Sequence, residues 1–245
     1  MKLISLNTWG GRVAEPLKNF ITAHADIDAF LFQEVFRDAS DQTRFEEAEN
    51  PHLFEDISDF LPDHVGVLAP VHAGEWGNAA FIKRSVSIEE SGEVYVHLHK
   101  DSMIGRDAAT LGRSIQWLRV KAAERSYSLL NFHGLWTGID KNDTAARLEQ
   151  SRKILELLQS INGEYVLAGD FNLSPNTESL RILEEGAGLR NLIKENGITG
   201  TRTSFYTKSE RFADYTFVSP GIKVLDFKVL PDEVSDHSAM YIEFE

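Results

Sequence analysis

The sequence predicts an α/β protein in which two mostly antiparallel sheets pack face to face and helices cover their outer surfaces. Short apolar runs typical of strands outnumber helix-like segments by about two to one. The middle third of the chain alternates apolar and polar residues, as in residues 115–120, and favours antiparallel sheet. No Gly/Ser linker, low-complexity tract or repeat divides the 245 residues, so we predict one domain over residues 1–245.

Each element of the first half follows from its local pattern. An apolar strand is predicted over residues 3–6, a helix entered through proline over 16–24, a buried strand over 29–32 and an acidic helix over 41–61. Further strands are predicted over residues 64–68, 78–82, 86–96, 115–120 and 127–132.

The second half begins with the best-defined helix, over residues 143–161. Its apolar residues recur every three to four positions, and Asn142 or Asp143 can cap its first turn. Asn162 and Gly163 can end it. A strand over 164–168, a helix over 177–185 and strands over 212–218, 222–229 and 240–244 complete the predicted fold.

Composition and charge exclude several classes of chemistry. The chain has no cysteine, which rules out disulfides, thiolate zinc sites and cysteine nucleophiles. Its 38 acidic and 25 basic residues give a net charge of −13, which disfavours a general nucleic-acid binder and makes a bound cation necessary for a phosphate substrate. The N-terminus lacks the basic and apolar regions of a signal peptide, and no apolar run reaches the ~18 residues of a membrane span. We therefore expect a cytoplasmic protein without a membrane partner.

Carboxylates stand at the ends of three predicted strands. Glu34 follows the second strand, Asp170 follows the strand over 164–168, and Asp214 precedes the apolar residues 215–218. An ionised carboxylate beside a core is costly to desolvate unless a cation or a hydrogen-bond donor meets it. The repetition of this pattern indicates a metal-assisted phosphoester hydrolase.

Mg²⁺ or Mn²⁺ is the cofactor that this chemistry predicts. Both are hard cations that proteins hold with one or two carboxylates, leaving positions for water and for substrate phosphate. The candidate metal ligands are Asn7, Glu34 and Asp236.

Phosphoester hydrolysis also needs a positioned water and donors for the charge that develops on the phosphoryl oxygens. Asp170 can orient or deprotonate the water, and Asn172 can supply an amide donor. His133 and His237 can donate from their rings, with Asp214 as a partner for His237. Taken singly, the two Asx residues could instead cap a loop, and His133 could be a core histidine.

Six short motifs, in order along the chain, resemble those of the endonuclease/exonuclease/phosphatase superfamily. They are Asn7 in the first strand, Gln33-Glu34, Asn131-Phe132-His133-Gly134, Gly169-Asp170-Phe171-Asn172, Asp214-Tyr215-Thr216-Phe217-Val218-Ser219 and Ser235-Asp236-His237. The resemblance covers residues 7–237, nearly the whole chain. It implies a four-layer α/β/β/α sandwich with the site at one edge of the two sheets.

The resemblance also implies roles for the motif residues. It implies that Glu34 binds the metal, with Asn7 and Asp236 nearby. It also implies that Asp170 and Asn172 position the water and the phosphate. His237 is implied to pair with Asp214.

The substrate is less well determined by the sequence. His133 stands where abasic-site endonucleases of the superfamily carry tyrosine, so the resemblance favours deoxyribonuclease-like and sphingomyelinase-like members. Trp136 is a candidate rim aromatic or a core residue. Two polar loops, over residues 97–113 and 199–211, can reach a phosphate-bearing substrate or remain solvated. The substrate-binding candidates in the second loop are Arg202, Lys208 and Arg211.

The predicted function is a divalent-metal-dependent phosphodiesterase with a phosphoester substrate. One alternative is an endonuclease or exonuclease acting on DNA or RNA, which the net charge disfavours. A second is a small-molecule phosphomonoesterase, which a closed pocket lined by converging arginines and lysines would indicate. A third is a non-catalytic binding module, which predicts that a principal ligand is missing, and none is missing from the sequence.

Overall fold

A computed structural model gives the fold and describes residues 1–40, 43 and 45–245. The strands of the described chain are β1 (Lys2–Asn7), β2 (Ala29–Phe36), β3 (His64–His72), β4 (Trp76–Lys83), β5 (Ser87–His97), β6 (Arg113–Ala122), β7 (Arg125–His133), β8 (Glu164–Asp170), β9 (Arg190–Asn191), β10 (Asp214–Val218), β11 (Val224–Val229) and β12 (Met240–Phe244). Its α-helices are α1 (Ala14–Ala23), α2 (Leu53–Phe60), α3 (Ala145–Ser160), α4 (Glu178–Gly186) and α5 (Leu192–Glu195).

The strands form two six-stranded sheets. The first has the order β11-β12-β1-β2-β4-β3, and the second has the order β5-β6-β7-β8-β10-β9. Neighbouring strands are antiparallel except for the pairs β1–β2 and β7–β8, which are parallel. A parallel connection needs a crossover, and α1 and α3 provide the two crossovers. The carboxyl ends of each parallel pair therefore meet at one edge of their sheet.

Successive side chains of a strand point to opposite faces of its sheet, so the strands of the first sheet contribute residues to two hydrophobic cores, one on each face. Leu3 and Leu31 belong to the core that lies between the sheets, whereas Ile4 and Phe30 pack with residues of α1 and α2. Residues of α3 and α4 pack against the outer face of the second sheet within the larger core. The order of layers is thus helix, sheet, sheet, helix, and the predicted four-layer α/β/β/α sandwich is confirmed.

Buried amides join the two sheets next to the strand ends. Asn131 Nδ2 on β7 donates to the backbone carbonyl of Phe32 on β2 at 2.9 Å, and Gln33 Nε2 donates to Asn131 Oδ1 at 2.7 Å. Buried hydrogen bonds of this kind fix the relative position of the groups that they join. This contact fixes the end of β2, which carries Glu34, against the end of β7, which carries His133.

The predicted acidic helix over residues 41–61 is wrong in its first part. Residues 41, 42 and 44 lie outside the described residues, and α2 begins only at Leu53. The Glu49 carboxylate accepts backbone hydrogen bonds from Phe45 and Glu46, at 2.8 and 3.0 Å, so this segment turns back on itself. Pro51 follows in a position that a helix interior does not tolerate.

The predicted cap of the long helix is also corrected. Thr144, rather than Asn142 or Asp143, caps α3 by accepting a hydrogen bond from the Arg147 backbone. The Asp143 carboxylate instead accepts from the backbone N–H groups of Glu178 and Ser179 at the start of α4.

Candidate active site

The candidate active site forms where the carboxyl ends of the four parallel strands meet. Asn7 ends β1, His133 ends β7 and Asp170 ends β8. Glu34 lies near the end of β2, where the pairing of β2 with β4 shifts its register. Asn7 Nδ2 donates to Glu34 Oε1 at 3.0 Å and to Asp170 Oδ2 at 3.1 Å. One buried amide therefore links a carboxylate of the first sheet to a carboxylate of the second.

Glu34 sits in a bulge of β2. The pairing of β2 with β4 slips between Phe32 and Val35, and Glu34 adopts a φ of +59°. A left-handed conformation costs a residue with a Cβ roughly 1–3 kcal/mol and tends to occur at functional sites. Burial raises the pKa of Glu34, although the hydrogen bond from Asn7 opposes the rise.

Asp170 is buried at the centre of the site. Its Oδ1 accepts the backbone N–H of Asn172 at 2.8 Å, and its Oδ2 accepts the side-chain amides of Asn7 and Asn172 at 3.1 and 3.2 Å. Burial raises the pKa of Asp170, but the positive charges of His237 and Lys141 outweigh it, and the pKa lies well below its usual range. Asp170 is therefore ionised at neutral pH.

Asn172 has its amide oriented by a buried lysine. Lys141 Nζ donates to Asn172 Oδ1 at 3.3 Å, so the amide nitrogen faces Asp170 and the carbonyl of Gly134. Asn172 itself has a φ of +53°, a backbone conformation that asparagine tolerates better than most residues.

His237 is fixed by contacts on both sides of the sandwich edge. Ser235 Oγ donates to the carbonyl of Asn7 at 2.7 Å and accepts the His237 backbone N–H at 3.1 Å. His237 Nδ1 lies 2.8 and 3.0 Å from the two carboxylate oxygens of Asp214, which leaves Nε2 facing Asp170 Oδ2 at 3.7 Å. Burial lowers the pKa of His237, as does a nearby guanidinium, but three carboxylates outweigh both and raise it.

His133 lies on the opposite side of Asp170. Its Nε2 is 3.7 Å from Asp170 Oδ2 and 3.7 Å from Glu34 Oε1. Burial lowers the pKa of His133 well below its ordinary value, and the positive charge of Arg113 adds to the effect. His133 is therefore neutral at neutral pH, whereas the pKa of His237 is shifted in the opposite direction.

Asp236 presents one paired and one unpaired oxygen. Oδ2 accepts from Arg202 Nη1 at 2.8 Å. Oδ1 is buried and lies 3.6 Å from His237 Nε2, and it has no hydrogen-bond partner among the residues that the structure describes. A buried carboxylate oxygen in this state favours a cation as its partner.

Two groups of potential metal ligands overlap at the site. In each group the ligand atoms lie within 4.8 Å of one another. The first group is Glu34, His133 and Asp170, and the second is Asp170, Asp214 and His237. Of the predicted ligands Asn7, Glu34 and Asp236, the first two are in direct contact and the third lies across the same cleft.

The cleft above these residues has a volume of about 630 Å³. Arg202 and Lys208 line it, and each lies over an aromatic ring: Arg202 is 4.0 Å from the Tyr206 ring centre and Lys208 is 4.8 Å from the Trp136 ring centre. Arg211 does not line this cleft and instead borders a smaller depression beside it. The structure thus brings two of the three predicted substrate-binding residues to the site, and it places Trp136 at the rim.

Two buried cations of the site were not among the predicted site residues. Arg113, the first residue of β6, is 3% exposed and lines the cleft, and its Nε and Nη1 have no hydrogen-bond partner within the described chain. Burial lowers the pKa of Arg113 to about 10 and that of Lys141 to about 8. Arg113 was visible in the sequence only as one of several cations in a polar loop, and Lys141 carried no signal.

A sandwich with carboxylates, amides and two histidines at one sheet edge defines a class of hydrolytic phosphoesterases. The chain belongs to the endonuclease/exonuclease/phosphatase family, whose sequence model matches residues 4–237. Members of this family are phosphoesterases and generally use a divalent metal ion. No curated protein matches the sequence significantly.

Several solved structures share the fold along the whole chain. A mannosyl-6-phosphatase of Bacteroides thetaiotaomicron VPI-5482 is 22% identical, with a TM-score of 0.76, over 100% of this chain and 99% of that chain. A family member of unspecified activity from Bacteroides thetaiotaomicron is 21% identical, with a TM-score of 0.78, over 100% and 97%. D. rerio TDP2, complexed with a single-strand DNA product, is 16% identical, with a TM-score of 0.74, over 100% and 98%. At these identities the similarity establishes the shared fold.

Proposed function

We propose that this chain is a divalent-metal-dependent phosphodiester hydrolase that uses an activated water. The observation that carries the proposal is the surroundings of Asp170. The Nε2 atoms of His133 and His237 each lie 3.7 Å from its Oδ2, and two asparagine amides donate to the same oxygen. In phosphoester hydrolysis a carboxylate can orient the attacking water, and hydrogen-bond donors beside it can stabilise the negative charge that develops on the phosphoryl oxygens.

Each side chain around Asp170 has a distinct role in the proposed reaction. Asp170 orients or deprotonates the attacking water. His237, held by Asp214, donates from Nε2 to a phosphoryl oxygen, and neutral His133 donates from the other side. Asn172 keeps Asp170 in place through its backbone N–H and its side-chain amide.

The residues also fit a divalent cation. Glu34 and Asp236 offer hard oxygen ligands, and Asn7, whose amide oxygen accepts the Trp9 N–H, orients Glu34 from its amide nitrogen. The unpartnered Asp236 Oδ1 is the atom whose burial a cation would best explain. When bound, Mg²⁺ or Mn²⁺ would supply positive charge to the phosphoryl oxygens.

The first test is metal dependence. We expect hydrolysis of bis(p-nitrophenyl) phosphate to vanish with excess chelator and to return with Mg²⁺ or Mn²⁺. Glu34→Gln keeps the shape but removes the charge, so it should raise the metal concentration needed for half-maximal rate by at least ~10-fold. Glu124→Gln, at an exposed turn, is the matched control and should behave as wild type. Full turnover in excess chelator would contradict the proposal.

Phosphomonoester hydrolysis is a second candidate, and Arg113 favours it. A buried guanidinium with two unpaired donors beside the site would suit the extra negative charge of a monoester. The diester remains our choice because the cleft, at about 630 Å³, holds more than a phosphate group and its lining continues into aromatic residues. Comparing kcat/KM for p-nitrophenyl phosphate and methyl p-nitrophenyl phosphate decides between the two.

The proposal retains the single domain over residues 1–245 and the cytoplasmic location expected from the sequence. Within the described chain, the longest helix has 16 residues, and none combines the length and the apolar character needed to cross a bilayer. Separating membrane and supernatant fractions of the producing cells tests the location.

A further inference from the structure

Trp9 has a strained backbone directly beside the site. Trp9, Gly10 and Gly11 have φ values of +52°, +62° and +75°, so three successive residues are left-handed. For the two glycines this conformation is free of strain, whereas a residue with a Cβ meets a steric penalty. The Trp9 backbone N–H donates to Asn7 Oδ1 at 2.9 Å, so this turn is tied to the amide that links the two site carboxylates.

The surrounding packing prevents the turn from relaxing. A Cβ on Gly10 would lie 2.7 Å from Glu49 Cγ, and a Cβ on Gly11 would lie 2.9 Å from a Leu53 methyl group. The backbone of the two glycines is therefore packed closely against Glu49 and against the first residue of α2. The structure maintains a strained tryptophan where a glycine would meet no penalty, which indicates that the indole ring has a use.

The indole ring lies at the cleft with a second exposed aromatic ring. Trp9 and Phe205 both line the cleft that contains Glu34 and Asp170, and their ring centres are 6.3 Å apart with an interplanar angle of 35°. Phe205 is 40% exposed, so its ring is accessible to a ligand in the cleft. The two rings form an aromatic shelf, defined by Trp9 and Phe205.

The guanidinium of Arg12, beside the Trp9 ring, limits the charge of the ligands that the aromatic shelf can bind. The Arg12 guanidinium lies 5.0 Å from the Trp9 ring centre and is held by Glu49 at 2.9 Å. A cationic ligand would have to approach a ring that already carries a guanidinium, so a cation is disfavoured. A neutral planar ring stacks on aromatic faces without this repulsion.

We propose that the aromatic shelf stacks a planar ring carried by the substrate, so that the substrate class is a small phosphodiester with an aryl or nucleobase group. This inference rests on the proposed phosphodiesterase function and names its substrate class. The cleft volume of about 630 Å³ suits a molecule of nucleotide size.

The test uses three diesters that share the p-nitrophenolate leaving group and differ in the second ester group, which is methyl, cyclohexyl or thymidine-5′-yl. We expect wild-type kcat/KM to favour the thymidine ester over the methyl ester by about 5- to 100-fold, the range that one stacked base provides. The cyclohexyl ester has similar bulk without a planar face and should resemble the methyl ester.

Two variants remove the shelf with little risk to the fold. Trp9→Gly deletes the ring and places a residue without strain at a φ of +52°, and Phe205→Ala removes an exposed side chain. Each should lower the thymidine-to-methyl preference several-fold, toward equal turnover of the two esters. Leu225→Ala, which removes an apolar side chain of comparable exposure on β11, is the control and should keep the preference.

The outcomes separate the inference from the proposed function. Equal turnover of all three esters, or a preference that Trp9→Gly leaves intact, overturns the shelf and leaves phosphodiester hydrolysis standing. If the cyclohexyl ester is preferred over the methyl ester as strongly as the thymidine ester is, the shelf binds any apolar group, and the proposal that the substrate carries a planar ring is overturned. Absence of all turnover contradicts the proposed function, and calorimetric binding of thymidine 5′-monophosphate against methyl phosphate then tests the shelf alone. Equal affinity of the two overturns it.

Discussion

Asp170 accepts hydrogen bonds from two asparagine side chains and one backbone N–H, so both of its carboxylate oxygens are held by donors. Asp170→Asn preserves the shape of the residue but removes the charge that orients or deprotonates a water. We expect kcat for a chromogenic diester to fall at least ~100-fold, as the loss of a general base typically does. Circular dichroism should show an unchanged fold. A folded variant with a rate near wild type would return Asp170 to a purely structural role.

His64 provides a prediction about stability and pH, far from the site. It is 5% exposed, its Nε2 lies 2.8 Å from the carbonyl of Ile27, and its Nδ1 is buried without a hydrogen-bond partner in the described chain. Burial lowers the pKa of His64 below its ordinary 6.5, because protonation would place a second N–H at Nδ1 in an apolar site. The unfolded chain then binds more protons than the folded chain below about pH 6.5, so stability falls as the pH falls through that value.

The measurement compares urea unfolding of wild type with His64→Gln at about pH 7.5 and pH 5.5. Glutamine does not titrate, so the wild-type advantage should shrink toward acid pH. His99→Gln, at an exposed position, is the control for the substitution itself. A difference between wild type and His64→Gln that is constant with pH would contradict the prediction.

At the residue scale, short motifs identify the polar residues that interrupt apolar runs, and they do not identify residues that reach the site only through tertiary packing. His237 and Asp214 were paired correctly, because each belongs to a recognisable polar interruption of an apolar run. Arg113 begins an alternating strand and Lys141 lies in a polar loop, and neither position differs in sequence from an ordinary surface cation. Their burial beside Asp170 depends on how the two sheets pack, which no local pattern encodes.

At the scale of elements, Asp143 connects two helices. It precedes α3 in the chain, yet its carboxylate accepts the backbone N–H groups of Glu178 and Ser179 at 2.7 and 3.0 Å and also the Ser179 hydroxyl. Thr177, the residue before α4, makes no side-chain capping bond of its own. Asp143 therefore caps α4 from outside that helix.

We expect Asp143→Ala to lower the free energy of unfolding by about 0.5–2 kcal/mol, the usual loss of a helix cap. Urea denaturation measures the loss. Asp232→Ala, at an exposed position, is the control. Asp143 does not line the cleft, so kcat should remain close to wild type below the unfolding transition. An unchanged midpoint would show that solvent satisfies the start of α4 equally well.

Most elements of the fold followed from sequence because strands with a buried face and helices with a regular apolar stripe have distinct periods. The exceptions lie where side chains redirect the backbone. The carboxylate of Glu49 folds residues 45–46 into a turn that an acidic composition cannot distinguish from a helix. The bulge at Glu34 lengthens β2 to Phe36, although the second strand was predicted to end at residue 32. A left-handed glutamate carries no local signal, since its strain is maintained by contacts from other strands.

At the scale of the whole molecule, the charge of −13 combines with a cleft in which several cations already contact a carboxylate or an aromatic ring. Arg202 is paired with Asp236 and Arg12 with Glu49, while Lys208 lies over Trp136. Long nucleic acid gains affinity from many phosphate contacts, each of which releases counterions. This molecule offers few such contacts beyond the site itself.

We therefore expect weak affinity for duplex DNA at about 150 mM salt and a shallow dependence of that affinity on salt. A small phosphodiester needs only the contacts of the cleft, and the residues around Asp170 do not depend on the length of the chain beyond the phosphate. Hydrolysis of a chromogenic diester should thus be detected under conditions in which supercoiled plasmid stays intact, with both assays run at the same enzyme, metal and salt concentrations. Lys208→Ala should reduce any residual plasmid nicking and its salt dependence together, whereas Lys121→Ala, at an exposed position on β6, should not. Efficient plasmid nicking at physiological salt without turnover of small diesters would reverse the ranking and make the nuclease the better assignment.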